Sequence, residues 1–214
     1  MAVPMCSNRG HGKLPPPLPP GPAPADERKA AVETNHYLAL LRGINVGGRN
    51  KVPMKTLKGH LEDLGYEQVV TYIASGNVLL ESADPAEQVG KDIEAALTGR
   101  FDLDDELIRV LVLSRSQLQD VIDNKPENFG EQPGKYHSDA IFLMGIDAEE
   151  AMSAFNPREG VDRVWPGDGV VYSQRLSAER TKSRLSAVAA SPLYKSMTIR
   201  SWNTTQKLWT LFQD

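Results

Sequence analysis

One cysteine, Cys6, occurs in 214 residues, and that scarcity excludes a disulfide framework or a thiolate metal cluster. The four histidines, His11, His36, His60 and His137, show no metal-ligand spacing, so no metal site is expected. No run of about 18 apolar residues exists, which excludes a membrane-spanning helix. The first residues lack the apolar stretch of a secretory signal, which leaves the cytoplasm as the default location. No GxGxxG pattern is present, so a dinucleotide cofactor has no support and no other cofactor is called for. Acidic residues are also absent from residues 36–60 and reduced to Glu179 in residues 171–207.

What is present suits a globular protein. With 40% hydrophobic and 24% charged residues, the chain can bury a core in one compact domain or two small ones. Residues 1–35 stand apart. "GKLPPPLPPGPAPADERKA" has too many prolines for helix or sheet, because proline removes backbone donors and fixes its own torsion. A disordered, proline-rich tail is expected there.

From His36 onward the punctuation reads as regular elements. "YLALLRG" is a short buried strand, and Met54, Leu57, Leu61 and Leu64 recur at helical spacing after Pro53. "QVVTYIA" and "NVLLES" form a hairpin around Ser75-Gly76. A helix opening at Asp84-Pro85 carries Val89, Ile93, Ala96 and Leu97 on one face, and "LIRVLVL" closes the set as a strand. That order, βαββαβ, is the ferredoxin-like split unit. A helix from Ser114 to about Asn124 and a polar loop lead to a second series. There "DAIFLMG" is a strand, Asp147 caps a helix, "VDRVW" and "GVVYSQ" flank "PGDG", a helical stretch surrounds Leu185 and Val188, and "SMTIRS" precedes a closing helix. The fold class expected is α+β: two ferredoxin-like halves of duplicated topology with an extra C-terminal helix. The halves are placed at 36–113 and 139–214, with a helix and linker at 114–138.

The loop "RGINVGGRNK" is the chemically conspicuous stretch. Gly43 and Gly48 have the first spacing of a P-loop, but Arg49 and Asn50 stand where that motif needs Lys and then Ser or Thr. The helix begins too late to aim its amides at a phosphate as a P-loop does. What remains is a glycine turn whose N–H groups can converge, ringed by Arg42, Arg49 and Lys51. Charge is segregated too. Residues 36–60 hold five cations and no acid, and residues 171–207 hold seven cations against Glu179, although the whole chain carries a net charge of -4. Two such segments suit a shared anionic ligand if the halves bring them together.

These residues carry a resemblance. "LLRGINVGGRNKVPMKTLKGHLEDLGYEQVVTYIASGNVLLES" resembles the opening signature of the bacterial family catalogued as domain of unknown function 1697, through Arg42 to Gly48, Met54, Leu57, Thr71-Tyr72 and Ser75-Gly76-Asn77. "TIRSWNTTQKL" resembles its closing motif, with Ser201 in place of the usual first asparagine. The resemblance spans Tyr37 to the C-terminus and implies a two-half α+β fold without supplying an activity.

The functional expectation is a binding site for a small phosphorylated or nucleotide-like anion, contacted by Arg42, Asn45, Gly47, Gly48 and Arg49. Ferredoxin-like topology is expected to put the glycine loop and the Ser75-Gly76 hairpin on opposite edges of the sheet, so a composite site would draw on the other half through Lys182, Arg200 or Asn203. A nucleic-acid module with Tyr or Phe platforms ranks second, because the acidic middle of the chain opposes it. An enzyme using Ser75, Tyr72 or Lys182 ranks third, since no histidine or carboxylate is spaced to activate them. No membrane partner is expected, a pure interaction protein is the fourth class, and the oligomeric state is not written in the pattern.

Overall fold

A computed structural model describes Met1, residues 34–103 and residues 108–213. Most of the proline-rich tail, with Cys6 and His11, lies outside the described residues. Contacts set Glu33–Asp214 apart as one compact unit, and every element below belongs to it.

The first half runs β1 (Asn35–Arg42), α1 (Met54–Asp63), β2 (Glu67–Tyr72), β3 (Asn77–Ser82), α2 (Ala86–Arg100) and β4 (Arg109–Ser114). Its sheet has the order β2-β3-β1-β4, antiparallel throughout. After α3 (Arg115–Asp123) the second half repeats this order with β5 (Tyr136–Leu143), α4 (Ala148–Met152), β6 (Asp162–Gly167), β7 (Val170–Leu176) and β8 (Met197–Ser201), arranged β6-β7-β5-β8. Helix α5 (Trp202–Gln213) closes the chain. The α+β fold of two four-stranded halves with a C-terminal helix is therefore present.

Alternation along β1 explains how the layers stack. Ala39 and Leu41 point to a core shared with Leu57 and Leu61 of α1 and Val89, Ile93 and Leu97 of α2. Leu38 and Leu40 point the other way, into a core that also holds Ala140, Phe142 and Tyr172 of the second sheet and Trp202, Leu208 and Phe212 of α5. Each sheet thus covers the face that its own helices leave open. Phe129, Tyr172 and Trp202 meet edge to face in this central layer, and the Tyr172 hydroxyl donates to the Val121 carbonyl at 2.7 Å. A third core lies on the outer face of the second sheet, under α4.

Local signals account for the helix boundaries. Ser114 accepts from the Gln117 N–H while the Gln117 side chain accepts from the Ser114 N–H, a reciprocal cap on α3. Asp147 caps α4 by accepting from the Glu150 N–H at 2.8 Å.

Two expectations are corrected. The helical stretch around Leu185 and Val188 is not an α-helix: three 3-10 segments, Ser177–Lys182, Leu185–Ala190 and Pro192–Ser196, cross from β7 to β8. Extended backbone at Ser183 and Ser191 interrupts the run, and Pro192 cannot continue the segment before it. Strand β5 starts at Tyr136, inside the segment read as linker, where seven residues pair with β7.

Candidate functional site

The free edge of β8, the end of β1 and the glycine loop enclose a cavity of about 510 Å³. That volume suits a small organic ligand. Its walls come from both halves: Leu41 to Gly47, Arg49, Asn50 and Ser75 from the first, and Tyr194 with Met197 to Arg200 from the second. No carboxylate lines it among the described residues.

The loop is a self-bonded turn. Asn45 and Asn50 both take positive φ, 54° and 48°, as do Gly47 and Gly48, a conformation that asparagine and glycine tolerate best. The Asn45 amide donates to the carbonyls of Val52 at 2.9 Å and Ala74 at 2.8 Å, and its oxygen accepts from the Val52 N–H at 2.9 Å. The Asn45 N–H donates to the Asn50 carbonyl, the Arg49 N–H to the Val46 carbonyl, and the Asn50 amide to the Gly43 carbonyl. Asn45 was expected to contact a ligand. Its donors and its amide oxygen are instead occupied in tying the loop to the hairpin.

That tie also corrects the topological expectation. Antiparallel pairing places Leu40 opposite Asn77, so the end of β1 and the start of β3 lie at the same end of the sheet. Glycine loop and hairpin are neighbours. The Leu41 N–H donates to the Gly76 carbonyl at 2.8 Å as the last rung of this ladder. Gly76 has φ +77°, and a Cβ there would stand 2.7 Å from the Leu41 Cβ, so only glycine fits.

Arg200 joins this rung to the second half. Its side chain is on the inner face of β8 and is only 6% exposed. Nη2 donates to the carbonyls of Leu41 at 2.9 Å and Gly76 at 3.0 Å, Nη1 to Thr198 Oγ1 at 3.0 Å and the Ile199 carbonyl at 2.9 Å, and Nε to Asn77 Oδ1. All five guanidinium donors are used, and every acceptor is neutral. No ion pair offsets the charge among the described residues. Burial brings its pKa down to about 10, which leaves it protonated at neutral pH.

Arg42 reaches across the same seam. Nε donates to the Met197 carbonyl at 3.1 Å, and the guanidinium lies 5.2 Å from the centre of the Tyr194 ring. Burial lowers its pKa; Tyr194 opposes that and the neighbouring Arg109 reinforces it. Arg49 is exposed at the rim. The two arginines that cross the seam cap the outward carbonyls of β8. Phe142–Thr198 and Ala140–Arg200 continue the hydrogen-bonded register set by the Met144 N–H to Ser196 carbonyl bond. The Ile199 N–H therefore points away from the sheet, off the edge that borders the cavity, with no ladder partner. Two hydroxyls join it. Ser75 Oγ accepts from the Asn77 amide at 3.1 Å and Thr198 Oγ1 accepts from Arg200, which leaves each O–H proton to donate.

Of the residues singled out from the pattern, Arg42, Asn45, Gly47, Arg49 and Arg200 line this cavity, and Gly48 belongs to the same loop without lining it. Lys182 does not reach it: it lies in the first 3-10 segment, exposed and paired with Glu179 at 2.7 Å. Asn203 lies instead beside Gly130 and Trp202 at a smaller cavity. Tyr194, Thr198 and the Ile199 N–H escaped sequence reasoning. Only the edge position of β8 could have suggested them. No histidine or carboxylate is hydrogen-bonded to Ser75, and no cluster of His, Cys, Asp or Glu able to hold a metal occurs among the described residues.

Fold and site define a class: an α+β protein of two four-stranded halves with an arginine-rich pocket at their seam. The chain belongs to the family described as Protein of unknown function (DUF1697), whose model matches residues 34–172. That match ends within β7, before Tyr194, Thr198 and Arg200. Among solved structures the chain is similar to the conserved bacterial protein SP0830 from Streptococcus pneumoniae, with 24% identity, a TM-score of 0.68, and coverage of 84% of this chain and 99% of that one. At that identity the likeness carries the fold. No curated protein matches the chain. No helix among the described residues is long and apolar enough to cross a membrane.

Proposed function

We propose that the seam pocket binds a small organic anion, with phosphate esters as the first class. One observation carries this reading: Arg42, Arg49 and the buried Arg200 line a cavity that holds no carboxylate among the described residues. A desolvated cation with only neutral acceptors leaves a positive potential in the cavity, which an anion would offset. The Ile199 N–H and the Ser75 and Thr198 hydroxyls supply directional donors beside that charge.

The alternatives lose ground for structural reasons. A base-stacking platform needs an open sheet face, but Leu38, Leu40, Phe142 and Tyr172 are buried against one another in the central core. An enzyme built on Ser75 or Lys182 lacks a base at Ser75, and Lys182 stands away from the pocket.

Thermal shift against inorganic phosphate, sugar phosphates and aryl phosphates, repeated with Arg49→Ala, tests the reading. Stabilisation that rises with ligand concentration, falls in the variant and weakens with salt is the expected result. Equal melting temperatures across the series would end it.

A further inference from the structure

The pocket is rich in donors and poor in acceptors, and that imbalance describes the part of the ligand away from its charge. Several carbonyls that line the cavity are already engaged. Leu41 and Ile199 accept from Arg200, Met197 from Arg42, Gly43 from the Asn50 amide and Val46 from the Arg49 N–H. The oxygen of the Asn45 side chain accepts from the Val52 N–H. A polyhydroxylated body entering this space would leave hydroxyl protons without acceptors after losing water, a penalty comparable with that of burying any unpaired polar group. A ligand ammonium would meet three arginines and no carboxylate.

Apolar surface is available instead. Val46, on the loop that walls the cavity, is 66% exposed, an unusual place for an aliphatic side chain beside a cationic site. The half-buried Tyr194 ring is held across the seam by the Arg42 guanidinium. On the head side, the Ile199 N–H, two hydroxyls and the arginines offer more donors than the four lone-pair positions of a carboxylate can take. A phosphate monoester, with three terminal oxygens and about two negative charges, uses them more fully.

Building on the anion-site reading above, we infer that the ligand is a phosphate monoester of an apolar alcohol or phenol: its phosphate faces Arg42, Arg49, Ser75, Thr198 and the Ile199 N–H, and its uncharged body lies against Val46 and Tyr194. Sugar phosphates would find few unengaged acceptors for their hydroxyl protons, and zwitterions no carboxylate.

Calorimetric titration of the full chain with phenyl phosphate, glucose 6-phosphate and inorganic phosphate tests this. Phenyl phosphate should bind about tenfold or more tightly than glucose 6-phosphate, because only its body gains from burial. Val46→Asn, at an exposed position that should not disturb folding, should erase most of that preference while leaving inorganic phosphate unchanged. Ser75→Ala should weaken both esters and inorganic phosphate alike. Equal or tighter binding of glucose 6-phosphate, or an unchanged preference in Val46→Asn, overturns the inference about the body while leaving the anion site standing. No binding by any of the three overturns both.

Discussion

The two halves share a strand order but differ in how they cross from their third strand to their fourth. In the first half the crossover is α2, fifteen residues whose internal hydrogen bonds and buried face of Val89, Ile93 and Leu97 make it self-sufficient. In the second half three 3-10 segments do the same work with few bonds of their own. Asp162 of β6 holds part of that stretch by accepting from the Arg184 N–H at 2.8 Å, and the same oxygen accepts from the Arg158 N–H, just before β6, at 3.0 Å. The loops after the first strand differ in the opposite sense. Residues 43–53 separate β1 from α1, whereas β5 reaches α4 across residues 144–147. Each half is irregular where the other is regular, and both irregular segments border the same cavity. Duplicated topology therefore supplies the frame, and divergence of one connection in each half supplies the pocket.

The inner faces of the edge strands sharpen the contrast. Leu111 and Leu113 of β4 are apolar, while β8 places Thr198 and Arg200 beside Phe142 and Ala140. Replacing Arg200 with Met should have the largest effect on stability, about 3 kcal/mol or more, because Asn77 Oδ1 is fully buried and would lose its only donor. Urea denaturation checks it; a loss under about 1 kcal/mol would mean that the seam is held by apolar packing alone.

Glycines on the two sides of the site come next. Gly76→Ala should cost about 2–3 kcal/mol, since strain at φ +77° adds to the clash with Leu41, whereas Gly47→Ala, at φ +58° with open space around it, should cost about 1 kcal/mol. Equal melting temperatures for the two variants would contradict the close approach of hairpin and β1.

The second half's crossover has a pH signature. Burial by itself would raise the Asp162 carboxyl, but the Arg184 N–H, the Ser183 hydroxyl, the Arg158 N–H and the charge of Arg175 together outweigh it and hold the group below the ordinary carboxylate range. Its stabilising contribution is present above that range and is lost as pH falls through the depressed value. Asp162→Ala should therefore cost about 1–3 kcal/mol at neutral pH, with the gap to the parent closing in acid. A pH-independent difference would refute this account of the 3-10 crossover.

The smallest expected effect concerns Lys182. Lys182→Ala should change stability by about 0.5 kcal/mol or less and leave anion binding untouched, since its pair with Glu179 is exposed. Arg49→Ala should be equally mild for stability but should weaken the anion. Parity of the two variants in a binding titration would remove the distinction between rim and remote cation.

Much of the frame was legible because it depends on neighbours in sequence. The continuous apolar run of "YLALLR", helical spacing in α1 and α2, and the Asp147 cap are local matters, and each element appears where the pattern places it, although Leu64 falls just past α1 and is exposed. The 3-10 crossover was not legible, because "LSAVAA" has helix-forming composition and its short segments are settled by contacts to Asp162 and the outer core. Asn45 and Arg200 show the same limit at the site. Both read as ligand-facing polar residues, yet the partners that occupy them, Ala74 and Val52 for one, Leu41, Gly76 and Asn77 for the other, come from other elements.

By itself, then, the sequence determined the strands, the helices other than the β7–β8 crossover, the duplicated strand order and the segregation of cations into two stretches, since periodicity, capping and composition act over a few residues. Tertiary structure alone decided that the hairpin shares an end with the glycine loop, that Arg200 is spent on the seam while Arg42 and Arg49 border the cavity, and that Lys182 stands apart. Those outcomes depend on strand register and on which carbonyls lie across the seam, which no local pattern encodes.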